Sequence, residues 1–216
     1  MKRRTLDILF SVGGLVLAGL ILVAGIVLTS NANFATNYVT DQLTAQKITF
    51  KSAETLTDEE RARPCLVENA GKQLTTGKQA ECYANNFIGL HLESTADGKT
   101  YAELGAPQSQ LRTQVQQAQE TNDPALASLQ KELATITSQR DSLFRGEALR
   151  GVLLTSYGFS EFGTKAATAA TIAYIAAALL ALLAFAGLIH AFRTPATRAF
   201  APVEESPART PEPALR

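Results

Sequence analysis

Two long apolar runs without a charged residue bracket a stretch in which apolar side chains return every three or four positions. The first run, Ile8 to Thr29, is 22 residues long. At a rise of about 1.5 Å per residue such a helix is about 33 Å long, enough to cross a hydrocarbon core of about 30 Å. The second, Ala166 to Phe192, contains AYIAAALLALLAFAGLI and is long enough to cross with some tilt. A buried core helix is the competing reading of each run, but two such cores in 216 residues would leave little amphipathic sequence to cover them. The pattern therefore predicts a mainly α protein: two transmembrane helices flanking an extracytoplasmic helical domain with a helical hairpin. It divides the chain into a cytoplasmic N-terminus (1–7), transmembrane helix 1 (8–29), an extracytoplasmic helical domain (30–165), transmembrane helix 2 (166–192) and a disordered cytoplasmic tail (193–216).

The middle stretch reads as helices joined by recognisable punctuation. Phe34, Tyr38 and Val39 fit a continuation of the first helix near the membrane surface. Lys47-Ile-Thr-Phe50 is the one strand candidate. Thr57-Asp-Glu-Glu60 has the form of a capping box, opening a short helix that Pro64 ends, and Thr100-Tyr-Ala-Glu103 is a second candidate. Between them, Ala80, Tyr83, Ala84, Phe87, Ile88 and His91 recur at helical steps over about Lys78 to Leu92, which puts His91 on an apolar stripe and favours a core residue over a ligand. Asp97-Gly98 signals a turn. Pro107, Leu111, Val115 and Ala118 mark the first arm of the hairpin. After Asp123-Pro124, an N-cap and first-turn pair, Leu126, Leu129, Leu133, Ile136 and Leu143 form an a/d seam interrupted by Arg140. The seam suits either a partner or the other arm. The apolar, aromatic stretch from Val152 to Phe162 fits either the membrane interface or a core.

Small residues fall in stripes on both runs: Gly14, Ala18 and Gly25, with Ser11, on the first, and Ala169, Ala173 and Ala177, followed by Ala181, at four-residue steps on the second. Such stripes let helix backbones approach closely, either between the two spans or towards another copy or partner. Tyr174 reads as an interface anchor.

Charge adds orientation. Lys2, Arg3 and Arg4 precede the first run, and Arg193 and Arg198 follow the second, whereas Asn31 to Gln46 carries no basic residue. By the positive-inside rule both termini are cytoplasmic, in a multi-pass protein of the plasma membrane. The basic start and the small residues around Ser30-Asn31-Ala32 also suit a cleavable signal peptide, but the apolar run exceeds the roughly 7–15 residues of a signal h-region, so an uncleaved anchor is expected. The formal net charge is zero, without the basic face that nucleic-acid binding needs. Cys65 and Cys82 both fall outside, where thiols oxidise, and are expected to form a disulfide. The tail from Arg193 holds five prolines in 24 residues.

The stretches MKRRTLDILFSVGGLVLAGL, TSNANFATNYV, TTGKQAECYANNFIGLHL, ADGKTYAELG and LLTSYGFSEFG resemble an uncharacterised family of two-span actinobacterial membrane proteins. The resemblance runs to about Val203 and implies an envelope-facing loop. Members are sometimes labelled aromatic ring-opening dioxygenases. A non-haem iron oxygenase commonly uses two histidines and a carboxylate, and here the expected topology puts His91 outside and His190 at the inner end of the second span. The residues do not support that label.

No glycine-rich phosphate loop or nucleophile–base pair stands out. The expected catalytic, cofactor and metal sites are therefore none. The expected function is a non-enzymatic accessory or scaffold subunit, with the bilayer and other membrane or envelope proteins as partners and self-association open. The alternatives are a sensor that passes an outer stimulus inward, weakened by a tail without an effector domain, and an envelope enzyme built on carboxylates such as Glu81, Glu93 and Glu103.

Overall fold

The computed structural model describes residues 3–195. Met1, Lys2 and the tail beyond Pro195, where most of the expected disordered segment falls, lie outside the described residues. The described chain is mainly helical: α1 (Arg3–Ala45), a 3-10 turn (Ala53–Thr55), α2 (Asp58–Arg61), α3 (Pro64–Glu68), α4 (Gly77–Cys82), a π turn (Tyr83–Ile88), α5 (Gly89–Thr95), α6 (Gly105–Thr121) and α7 (Leu126–Arg193). It divides into two compact units, residues 3–29 with 168–195 and residues 30–167.

The first unit pairs the N-terminal part of α1 with the C-terminal part of α7. Asp7 meets His190 at 3.2 Å, Gly14 faces Ala184 and Gly25 faces Tyr174, so numbers rise on one helix as they fall on the other and the pair is antiparallel. The buried positions are small: Ser11, Ala18 and Gly25 on α1, and Ala170, Ala177, Ala184 and Ala191 on α7. Both sets repeat every seven residues, the period that keeps one seam against its partner when two helices coil left-handedly. The buried line on α7 therefore differs from the four-residue stripe expected at Ala169, Ala173 and Ala177. Ala177 is buried, Ala173 is half-buried and Ala169 is exposed. A step of four drifts about 40° around a helix of 3.6 residues per turn, whereas a step of seven drifts only about 20°. The large side chains point outwards, among them Phe10, Leu183 and Phe192. α1 and α7 are both long and apolar enough to cross a membrane, and only 11% of the most apolar window of each is buried. Neither window is buried inside this chain as the core helix of a soluble protein mostly is.

The second unit builds its core from Leu43, Phe50, Leu66, Leu74, Ala84 and Leu153, joined by side chains from α5, α6 and α7. Among the described residues no strand forms. The Lys47–Phe50 segment makes a single antiparallel bridge, Thr49 to Gln73, flanked by Leu74 N–H donating to the Ile48 carbonyl at 2.8 Å and Phe50 N–H to the Lys72 carbonyl at 3.0 Å. Thr57 and Glu60 form the expected capping box: Glu60 N–H donates to the Thr57 hydroxyl and Thr57 N–H to Glu60 Oε2. α2 ends before Pro64, which instead occupies the first turn of α3. Thr76 and Gln79 make another capping box at the start of α4.

The helical run around Phe87 holds the main departure in register. Its buried line is Ala80, Ala84, Ile88 and Leu92, every fourth residue, rather than the alternating steps that would include Phe87 and His91. The π turn explains this, because i→i+5 bonding puts an extra residue into the turn and rotates the residues beyond it. His91 is consequently about half exposed instead of core.

α6 touches the beginning of α7 through Gln108, whose Nε2 donates to Thr137 Oγ1 at 2.9 Å, with Leu111 and Ile136 buried beside them. Arg140, which breaks the apolar seam, donates Nε–H to the Tyr101 carbonyl, bonds Gln108 and lies over the Tyr101 ring. It thus serves as a polar clasp.

Candidate functional site

Two arrangements in the second unit stand out. The first is a polar and aromatic cluster around Glu60. This carboxylate is 1% exposed, yet each oxygen has a partner: Oε1 accepts from Lys51 Nζ at 2.8 Å and Oε2 from Thr57 N–H at 2.8 Å. Burial pushes the Glu60 carboxyl up, but the Lys51 and Thr57 hydrogen bonds and the charges of Lys51 and His91 outweigh it and hold it below its ordinary value. His91 donates from Nδ1 to the Phe87 carbonyl at 2.7 Å and turns Nε2 towards Glu60 Oε1 at 3.8 Å. Lys51 also lies over the Phe87 ring, which packs on Tyr83 and His91. Every strong polar partner here is internal, so the cluster reads as a rigid tie between α2, the π turn and α5.

The second arrangement is an apolar groove of about 370 Å³ between the Tyr38 stretch of α1 and the Val152 stretch of α7. Tyr38, Val39, Leu149, Val152 and Phe159 line it. Tyr38 is 50% exposed and Val152 59%. Phe34, Tyr38 and Phe159 form an aromatic trio with ring centroids 5.7 to 6.4 Å apart. Close helix approach makes the trio, because Gly163 leaves room for Ala35: a Cβ at Gly163 would lie 3.0 Å from that of Ala35. Contiguous exposed rings and aliphatic side chains are the kind of surface that a membrane interface or a partner protein covers.

No family model, curated protein or solved structure matches this chain. These residues alone therefore carry the functional reading.

The remaining expected positions lie outside these two arrangements. Cys65 and Cys82 are joined, with Cα atoms 6.0 Å apart, and the bridge ties α3 to the end of α4. On α1, Ala18 is buried, a Cβ added to Gly14 would just touch that of Ala184, and Gly25 takes the Tyr174 ring. Tyr174, expected as an interface anchor, faces the neighbouring helix, its hydroxyl 2.8 Å from Thr29 Oγ1. Of the carboxylates, Glu81 pairs with Lys78, and Glu103 accepts from the Thr100 N–H and hydroxyl. Among the described residues no group of three or more His, Cys, Asp and Glu side chains is arranged to hold a metal.

Sequence reasoning missed the burial of Glu60 beneath Lys51, which local spacing does not encode. It also missed the Thr76 capping box, although Thr76-Gly-Lys-Gln79 carries the S/T-x-x-E/Q signature. The groove joins two stretches the sequence had marked apolar, at Tyr38 and at Val152 to Phe162.

Proposed function

We propose that this chain is a two-span protein of the cell membrane whose middle domain, residues 30–165, lies outside and docks another membrane or envelope protein, as an accessory or scaffold subunit. Both ends are cytoplasmic in this reading, and α6 with the beginning of α7 forms the outer hairpin. The observation that carries it is the exposed groove formed by Tyr38, Val152 and Phe159. Aromatic side chains are enriched at protein contacts because they bury large areas with few rotors. The outer placement draws support from the Cys65–Cys82 bridge, which belongs to an oxidising compartment, and from the basic residues Arg3, Arg4 and Arg193 at the opposite ends of the spans. The resemblance to two-span actinobacterial membrane proteins accords with this arrangement.

The test is a photo-crosslinker placed at Val152 in the native-level protein, followed by pull-down in mild detergent. A stoichiometric protein partner joined through Val152 is expected. A clean monomer with no crosslinked protein would reject the reading.

A further inference from the structure

A separate polar cleft of about 390 Å³ opens in the second unit. Three cations line it, Arg63, Lys99 and Arg150, against two carboxylates, Glu93 and Glu147. Asn85, carried by the π turn, is also on its wall. Such turns recur at functional sites.

Arg150 is the telling residue. Its guanidinium reaches Glu147 at 3.3 and 3.4 Å and Asn85 Oδ1 at 3.3 Å. Charge-assisted bonds of this kind usually close to about 2.7–2.9 Å. Its Nε is shielded from solvent and has no hydrogen-bond partner. The protein thus gives this fork only long, partial partners, where an oxyanion would take two donors at once. Beside it, Tyr101 is 42% exposed and has the Arg140 guanidinium 4.1 Å from its ring centre. A bare phosphate or carboxylate would fill little of the cleft, whose volume lies in the range of small-molecule sites.

We propose that this cleft binds a small acidic ligand: a carboxylate or phosphate group held by Arg150 with Arg63 and Lys99, and a single-ring body beside the exposed part of Tyr101, whose ring face already carries Arg140. This site is distinct from the Tyr38 groove and does not depend on docking there.

Isothermal titration of the full-length protein in mild detergent tests it, with glucuronate, glucose 6-phosphate, glucose and inorganic phosphate as probes. At least one acidic sugar is expected to bind saturably, about tenfold or more tighter than glucose or inorganic phosphate. Whichever acid binds better identifies the oxyanion. Arg150→Gln and the exposed Lys99→Gln should each weaken that binding about tenfold. Failure of both acidic sugars to saturate overturns the proposal. So does equal binding of glucose or inorganic phosphate, or binding that Lys99→Gln leaves unchanged. Because Lys99 is on the surface, its variant decides the matter even where Arg150→Gln does not fold. Neither negative result bears on the crosslink at Val152.

Discussion

The Tyr174 ring lies across Gly25, so close that a Cβ built on the glycine would stand 2.8 Å from Cε1. The same phenol meets Thr29 Oγ1 at 2.8 Å, one turn further along α1. Glycine is required here for space, and the space is occupied. Gly25→Val should destabilise the helix pair by about 1–3 kcal/mol through overpacking. Tyr174→Phe should cost less, about 0.6 kcal/mol, the usual worth of one hydrogen bond between membrane helices. Gly19→Val is the control, since nothing lies within 4 Å of its added carbon. Thermal unfolding in detergent should rank the three variants in that order. Equal loss from Gly19→Val would show that the packing described for Tyr174 is not what matters.

The Cys65–Cys82 bridge closes a loop with a sequence separation of 17. In the chain-entropy account a loop of this length stabilises by about 3 kcal/mol. Reduction, or the Cys65→Ala, Cys82→Ala double variant, should lower the denaturation midpoint of the middle unit correspondingly. On the proposed topology, a membrane-impermeant thiol reagent applied to whole cells should label both cysteines after reduction and neither before. Labelling only after the cells are opened would place the domain inside.

Glu60 contributes stability whose sign with pH is set by its lowered value. Folded, its carboxyl sits below 4.5, so the unfolded chain takes up the proton first. The stabilisation is present above about 4.5 and declines as pH falls through the folded value. At pH 7, Glu60→Gln should cost about 1–3 kcal/mol, because Lys51 loses its buried partner. Denaturation of the two proteins at pH 7 and pH 3.5 should show the gap narrowing in acid. A gap that widened on acidification would reverse the assigned direction.

The range of the forces involved decides which features the sequence disclosed and which it hid. The apolar runs, the capping box at Thr57 and Glu60, and the turn at Asp123 just ahead of α7, where its carboxylate accepts from Ala125 N–H at 2.7 Å, are set by neighbours within a few residues. Spacing alone reveals such features. The exposure of His91 was not legible, because one extra residue in the π turn moves it off the stripe, and no residue type announces that turn. The buried line at Ala170 and Ala184 was obscured for a different reason. Alanine is so frequent in the second run that a four-residue and a seven-residue stripe can both be drawn, and only the partner helix selects between them. The Tyr38 groove was half legible: both of its walls could be seen as apolar, but their meeting depends on the Gly163 and Ala35 contact.

The groove that this contact creates can be tested by mutation directly. Val152 is 59% exposed, so Val152→Asp should leave folding within about 0.5 kcal/mol of the parent. It nevertheless puts a charge into the middle of the apolar groove, where an unpaired carboxylate would have to be desolvated by a docking partner. Phe159→Ala removes a ring that also packs against Phe34 and Tyr38, so it should reduce both binding and, slightly, stability. If a protein docks in the groove, Val152→Asp should lower partner recovery about tenfold or more while melting is unchanged, the behaviour of a contact at the centre of an interface. Leu183→Asn, on the outer face of the helix pair, separates the effect from a general response to polarity: it should leave recovery through the groove intact. Undiminished recovery from Val152→Asp would move the docking surface elsewhere on the domain.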